Sequence, residues 1–232
     1  MVSCTGQENV LIKIERVELH RISMPYVYPF ETSFGRETVR EFILVSVSGG
    51  GVTGWGECVA GSGPWYSYET VGTAWHVMEN FLIPVLLGEN VENPGDVVAR
   101  FVRVRGHAMA RACLENAVWD LLARVQGISL ATMLGGVRDG VPVGVSVGIE
   151  PTLDKLLERI AAHVDEGYAR VKLKIKPGWD VDVVRAVRER WPDLLVQVDA
   201  NSAYRLSDAA VFCELDQFEL VLIEQPLHYD DI

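Results

Sequence analysis

Three short apolar runs, each carrying a charged residue at or near its end, recur at a constant interval in the second half of this 232-residue chain. The runs cover 171–175, 196–201 and 220–226. Their charged residues Lys174, Asp199 and Glu224 are 25 residues apart in both intervals. A period of this length, with a helical pattern between the runs, is typical of one βα unit in a parallel sheet. Charges at the ends of such strands predict catalysis when the sheet belongs to a (β/α) barrel, because the active site is built at that face.

Strand and helix patterns alternate from Asp139 onward. The predicted strands cover 142–147, 169–175, 194–199 and 220–224. The predicted helices cover 152–166, 180–190 and a segment capped by Ser207 that runs to 215. This alternation predicts a parallel sheet with right-handed crossovers. We therefore place a domain boundary near 138 and expect 138–232 to form the N-terminal half of a (β/α) barrel, truncated after about the fourth strand.

The first half of the chain follows a different pattern. Its predicted strands start at 12–19 and continue at 42–47 and 52–59, as an antiparallel meander over 10–60. Its predicted helices cover 69–87, 96–104 and 108–125, and the last of these is apolar on most faces, which is typical of a buried helix. We therefore expect 1–137 to form an α+β domain.

Two segments of this first domain carry large aromatic residues without strand alternation. The segment 25–35 contains Phe30 and Phe34, and the segment 61–68 contains Tyr66. Aromatic loops of this kind predict either ligand binding or packing at a domain interface, and the pattern alone leaves both interpretations open.

The charged residues of the second half suit one kind of chemistry. Lys172 and Lys174 are two apart on a strand, so their side chains share a face about 6.6–6.8 Å apart. Two buried ammonium groups repel each other, and lowering the pKa of Lys174 from about 10.4 towards neutrality would make it a usable base. Asp199 and Glu224 are hard oxygen ligands that suit Mg²⁺. A lysine base beside a carboxylate-held cation is what removal of a proton next to a carboxylate requires. The alternative is that these are ordinary strand-end charges that pair with one another.

Charge and cysteine content exclude several function classes. The net charge is −11 and there is no block of Lys and Arg, which argues against a nucleic-acid partner. The four cysteines lie far apart without a CxxC pair, so we expect neither disulfides nor zinc, as in a reducing cytosol. The N-terminal residues lack the apolar core of a signal peptide, and no run approaches transmembrane length. We therefore predict a soluble cytoplasmic protein without a membrane partner.

The motifs resemble those of a known superfamily. Lys172-Leu173-Lys174, Asp199-Ala200-Asn201 and Glu224-Gln225-Pro226 are similar to the enolase superfamily in its muconate-lactonizing branch. The segments 54–58, 143–148 and 171–180 resemble, more closely, the o-succinylbenzoate synthase/N-acylamino acid racemase group. The resemblance runs from about residue 10 to the end and covers both predicted domains.

This resemblance implies an α+β capping domain over a modified barrel, a Mg²⁺ or Mn²⁺ cofactor, a small carboxylate substrate, an enediolate intermediate and a homo-oligomer. It implies Lys174 as the general base and Lys172 as the neighbour that lowers its pKa. Its remaining implied roles are metal ligation by Asp199 and Glu224, a place near the substrate for Ser146 and Asn201, and hydrophobic cover of the substrate by Phe30, Phe34 and Tyr66. The resemblance thus favours binding for the aromatic segments.

The chain also departs from the family pattern, which uses three carboxylate ligands and a second lysine. One further interval of 25 residues after Glu224 falls near position 249, beyond the last residue. Two hypotheses stay open: an enzyme whose remaining residues lie outside this chain, or a non-catalytic remnant that self-associates through an open sheet edge. We expect the 232-residue chain alone to be inactive. Within the enzyme hypothesis, dehydration to o-succinylbenzoate, N-acylamino acid racemisation or both remain open, with dipeptide epimerase or muconate-type cycloisomerase as the alternative.

Overall fold

Antiparallel strands come first in this computed structural model, which describes residues 11–231. The strands are β1 (Ile12–Lys13), β2 (Arg16–Thr32), β3 (Gly35–Gly49), β4 (Val52–Cys58) and β5 (Asn90–Val91). The sheet order is β2-β3-β4, and β1 pairs with β5. The predicted first strand over 12–19 is therefore divided in two, because Ile14 and Glu15 donate their backbone N–H groups to Glu89 and Ser48 instead of continuing one ladder.

The helices of the first half follow, and the longest of them packs against β4. They are α1 (Val71–Val77) with a π-helical turn (Met78–Leu82) and a 3-10 turn (Ile83–Val85), α2 (Pro94–Arg100) with a 3-10 turn (Phe101–Arg103), α3 (Ala108–Val125) and α4 (Leu130–Met133). The prediction that α3 is a buried helix is confirmed, since its Ala117, Val118 and Leu121 are fully buried. A Cβ at Gly54 of β4 would lie 2.2 Å from the Ala117 carbonyl oxygen, so only glycine allows this helix to contact the strand.

The segment 25–35 is not the predicted loop. Strand β2 continues through it to Thr32, and only Ser33 and Phe34 form the turn before β3. Pro25 and Pro29 led to the loop prediction, but β2 is an edge strand of its sheet. Their even spacing turns both nitrogens towards the same edge, and an edge strand tolerates proline because N–H groups on its unpaired side take no part in the ladder.

Four parallel strands form the second sheet, in the order β6-β7-β8-β9. They are β6 (Val145–Val147), β7 (Arg170–Lys174), β8 (Leu195–Asp199) and β9 (Leu222–Glu224), with α5 (Leu153–Asp165), α6 (Val181–Arg190) and α7 (Ala209–Leu215) between them. The predicted parallel strand-helix alternation is confirmed. The predicted Ser207 cap is wrong: a 3-10 turn (Leu206–Asp208) precedes α7, and the Asp208 carboxylate accepts from the Arg205 backbone N–H.

The chain divides into two units. The first comprises residues up to Pro25 together with Val39–Arg138, and the second comprises Tyr26–Thr38 together with residues from Asp139 onward. The sequence assigned all of 1–137 to one domain, whereas the tip of the β2–β3 hairpin packs with the parallel sheet. Within residues 11–231, no helix combines the length and the apolar character needed to cross a bilayer.

Candidate active site

Strand register brings the recurring charged residues side by side. Lys174 of β7 is paired with Asp199 of β8, which is paired with Glu224 of β9. One layer below, Ser146 of β6 is paired with Lys172. Residues two apart on a strand share a face, so both layers face the same side of the sheet. The 25-residue interval of the sequence therefore becomes a row of three charged side chains at the carboxyl ends of adjacent strands.

Asp199 is the centre of this row. Its side chain is 1% exposed, and the ammonium groups of Lys172 and Lys174 both lie 2.7 Å from its Oδ2. Its Oδ1 accepts the Asn201 backbone N–H at 2.9 Å. Burial acts to raise the pKa of Asp199, but the hydrogen bonds from both lysines and the backbone amide outweigh it and hold the pKa below its ordinary value. Asp199 is therefore a carboxylate at neutral pH.

Lys172 joins the two acids. Its Nζ lies 2.7 Å from Asp199 Oδ2 and 2.7 Å from Glu224 Oε1. Partial burial acts to lower the pKa of Lys172, but the hydrogen bonds to Asp199 and Glu224 outweigh that effect and place the pKa above its ordinary value. The ammonium group of Lys172 thus acts as a cation shared by both carboxylates.

Lys174 is the more buried of the two lysines, at 8% exposed. Besides Asp199, its Nζ donates to Asn201 Oδ1 at 2.8 Å, and the Phe30 ring lies 5.9 Å from it. An ammonium group has three N–H donors, and two of them are directed by these contacts. The structure therefore fixes the position of the Lys174 nitrogen at the end of β7.

The backbone behind the acids is strained. Asn201, Ser202 and Gln225 have φ values of 44°, 64° and 46°, which is the left-handed region that non-glycine residues seldom occupy. They are held there by each other: Asn201 Nδ2 donates to Gln225 Oε1 at 3.1 Å, and the Ser202 N–H donates to the Gln225 carbonyl at 2.7 Å. Such strain persists where the surroundings impose it, and it clusters at functional sites.

The predicted site residues do not all come together in the described structure. Lys172, Lys174, Asp199, Glu224, Asn201, Ser146 and Phe30 belong to one unit and lie around the row of charges. Phe34 occupies the hairpin turn and is 45% exposed, and Tyr66 lies in the other unit and is 67% exposed. Their predicted place over a substrate stays a prediction.

The two acids suit a small divalent cation. Their carboxylate oxygens already converge on one cation, the Lys172 ammonium group, and hard oxygen ligands are those that Mg²⁺ and Mn²⁺ prefer. Among the residues described, 11–231, no three His, Cys, Asp or Glu side chains converge on a point that could hold a metal. The residues present therefore fit such an ion through two ligands, Asp199 and Glu224, in competition with Lys172.

Comparison with protein families agrees with this geometry. The model of the mandelate racemase/muconate lactonizing enzyme N-terminal domain matches residues 14–135, and the enolase C-terminal domain-like model matches 155–232. The chain belongs to the mandelate racemase/muconate lactonizing enzyme family. The predicted membership of the enolase superfamily is thereby confirmed.

Individual relatives in the family are similar over nearly the whole chain. The o-succinylbenzoate synthase of Geobacillus kaustophilus is 51% identical over 222 residues, which cover 95% of this chain and 59% of that relative. The N-succinylamino acid racemase of Amycolatopsis sp is 50% identical over 222 residues, which cover 95% of this chain and 60% of that relative. The predicted resemblance to this group is confirmed. The chain spans about three fifths of the length of these relatives.

A solved structure from the same superfamily has the same fold. It comes from Enterococcus faecalis V583, is described as an unknown member of the enolase superfamily, and superposes with a TM-score of 0.85 at 42% sequence identity. The alignment covers 96% of this chain and 60% of that structure. The capping-domain and parallel-sheet architecture of the family is therefore shared.

Gln197 and Gln225 belong to the site of this chain but were not predicted from the sequence. Gln197 is 8% exposed, and its Nε2 donates to Glu224 Oε2 at 2.9 Å. Gln225 holds Asn201, as described above. The sequence could have indicated Gln197. It lies two residues before Asp199 in an otherwise apolar strand, so their side chains share a face, as those of Lys172 and Lys174 do. Gln225 had no such signal, because its contacts depend on a neighbouring loop.

Proposed function

We propose that this chain is part of an enzyme that removes a proton from the carbon next to a carboxylate, as an o-succinylbenzoate synthase, an N-acylamino acid racemase or both. The observation that carries the proposal is the row Lys174-Asp199-Glu224, in which a lysine nitrogen and two carboxylates meet at the carboxyl ends of adjacent parallel strands. The same first step, loss of the α-proton, serves dehydration and racemisation, and relatives of both names support both activities.

In this proposal each residue has one task. Lys174 Nζ accepts the α-proton, and Lys172 is the neighbouring cation that disfavours a second charge at Lys174. Asp199 and Glu224 would hold Mg²⁺ or Mn²⁺. When bound, such an ion would supply positive charge to the oxygens of a substrate carboxylate. The remaining substrate contacts are assigned to Asn201 and Ser146, whose polar side chains lie beside the two lysines.

The aromatic residues supply the apolar part of the proposed pocket. Phe30 lies 5.9 Å from Lys174 Nζ, so an apolar group placed there would exclude water from the base. Phe34 and Tyr66 are proposed to extend this cover over the substrate. We further propose that the whole protein closes a barrel around the parallel sheet, acts in the cytoplasm and forms a homo-oligomer.

The activity can be tested in a protein that contains this chain and has the length of its relatives. We expect it to exchange the α-hydrogen of N-succinylamino acids for deuterium in deuterated water, to dehydrate the o-succinylbenzoate precursor, or to do both. Nuclear magnetic resonance measures the exchange, and product absorbance measures the dehydration. Absence of both reactions from folded protein with Mg²⁺ or Mn²⁺ would contradict the proposal.

The 232-residue polypeptide by itself should bind Mg²⁺ weakly, with a dissociation constant on the order of millimolar, and should catalyse neither reaction. Asp199 and Glu224 are its converging carboxylates, and Lys172 already neutralises both. Mg²⁺ gives up its water shell reluctantly and needs more than two weakly available ligands for tight binding. Calorimetric titration measures the affinity, and Asp199→Asn combined with Glu224→Gln should remove the heat. Tight binding with turnover would mean that another copy completes the site.

A further inference from the structure

The hairpin tip, residues 26–38, comprises the end of β2, the turn and the start of β3, and it contacts the loops that follow three strands of the parallel sheet. After β6, the Ile149 N–H donates to the Glu31 carbonyl oxygen at 2.9 Å. After β7, Lys176 Nζ lies 3.0 Å from Glu31 Oε1. After β8, the Asn201 carbonyl accepts from Ser33 Oγ at 3.5 Å. The hairpin tip is therefore attached to the loops that directly follow the strands of Ser146, Lys174 and Asp199.

The attachment at β6 is a contact between backbones. A Cβ added to Gly148 would lie 3.1 Å from both the backbone nitrogen and the carbonyl oxygen of Glu31. This is tighter than most real Cβ contacts, so a side chain at 148 would require the two backbones to separate by a few tenths of an ångström. The absence of a side chain at Gly148 therefore allows the close approach at which the Ile149 hydrogen bond is seen.

A second side-chain contact supports the hairpin tip from the helix after β6. The Arg159 guanidinium of α5 lies 4.0 Å from the centre of the Tyr28 ring, and Glu150 Oε1 holds that guanidinium at 2.7 Å. Cation–π contacts of this kind contribute modestly at exposed sites. Phe30 lies between the attached residues Tyr28 and Glu31, and the centre of its ring is 5.9 Å from Lys174 Nζ.

We propose that Glu31 and Lys176 are positioning residues whose ion pair holds the hairpin tip in place so that Phe30 stays against Lys174. The pair joins residues 145 apart in sequence and is part-buried, with side chains 29% and 38% exposed. The attraction between Glu31 and Lys176 therefore stabilises the position of the hairpin tip against the loop after β7. It does not stabilise the fold of the hairpin or of the loop by itself. The effect on catalysis, through Phe30 and the base Lys174, rests on the proposed function. The docking of the hairpin tip does not depend on it.

Exchange of the Ile149 amide hydrogen measures this docking directly in the 232-residue protein. Glu31→Gln and Lys176→Gln should each speed that exchange about two- to five-fold, as expected for loss of a part-exposed ion pair. The combination of Glu31→Lys with Lys176→Glu should restore slow exchange, which a merely structural role of either residue would not do. The control Glu158→Gln removes an exposed ion pair with Lys155 elsewhere on α5 and should leave the Ile149 amide unchanged.

A glycine pair gives an independent test. Gly148→Ala should speed exchange at Ile149, whereas Gly140→Ala adds a Cβ that meets nothing within 4 Å and should have no effect. The proposal would be overturned if both single ion-pair variants left the exchange of the Ile149 amide unchanged, or if the charge-swapped protein did not restore slow exchange.

In a protein of the relatives' length, Glu31→Gln should raise KM more than it lowers kcat, and the charge-swapped protein should recover the parent values. If the unsubstituted protein of that length is inactive but the amide exchange follows the expected pattern, the proposed function is contradicted and the role of the ion pair stands.

Discussion

Replacing Lys174 by Ala, in a protein of the relatives' length, should slow exchange of the substrate α-hydrogen by about 10²–10⁴-fold. The variant retains Asp199 and Glu224, so binding of a cation and of the substrate carboxylate should persist while the group that takes the proton is absent. Deuterium incorporation, followed by nuclear magnetic resonance in deuterated water, measures the rate. The effect should fall mainly on kcat, because Lys174 contributes to the proton transfer and not to uniform binding.

Two further variants separate the chemistry of Lys174 from its packing. Lys174→Arg keeps a positive charge that can bond to Asp199, but a guanidinium does not lose its proton in proteins, so it should be as inactive as the alanine variant. Lys155→Ala removes an exposed lysine on α5 and should leave exchange at the parent rate. If Lys174→Ala exchanges substrate as fast as the parent, Lys174 is not the base.

Replacing Asp199 by Asn should lower the free energy of unfolding of the 232-residue protein by about 3–5 kcal/mol at neutral pH. The change removes the carboxylate to which both lysine ammonium groups are bonded at 2.7 Å, in a position that is 1% exposed. Lys172 keeps its bond to Glu224, but the buried Lys174 loses the carboxylate that neutralises it, and an uncompensated buried charge is strongly destabilising. Urea denaturation followed by circular dichroism measures the difference.

The pH dependence of this difference has a defined sign. Because the pKa of Asp199 is held below its ordinary value, its contribution to stability is present above the unfolded pKa of about 3.9 and is lost as pH falls through the lower folded value. The advantage of the parent over Asp199→Asn should therefore shrink below about pH 4. As a control, Asp182→Asn alters an acid that is 90% exposed and should change stability by less than about 0.5 kcal/mol. Equal stability of the Asp199→Asn protein and its parent at neutral pH would contradict the role of this ion pair.

The row of charges could be predicted because two local rules determine it. Residues two apart on a strand share a face, and parallel strands at a fixed interval place their ends together. These rules required only the positions of Lys172, Lys174, Asp199 and Glu224. They apply equally to Gln197, but an uncharged amide in a strand does not by itself indicate a catalytic or metal-binding role.

The hairpin tip could not be predicted, since its contacts are set by tertiary structure. Two prolines interrupted the strand pattern, and only the edge position of β2 makes them compatible with a strand. Nothing local in Glu31 indicates that it would meet Lys176, which is 145 residues away. The left-handed backbone at Ser202 and Gln225 was equally hidden, because neither residue type favours that conformation and both are held there by a neighbouring loop.

The shared ammonium of Lys172 has a consequence for how such a protein is assembled in a cell. Two lysines and two acids give this end of the sheet zero formal charge, so the mutual repulsion of the acids is already offset within the polypeptide. Small zinc domains, by contrast, remain unfolded until their ion arrives. Under the proposed function, folding and ion uptake would be separable events, because the ion would take the place that the Lys172 ammonium group holds between Asp199 and Glu224. We therefore expect that the folded state can form where the proposed ion is scarce and bind it afterwards.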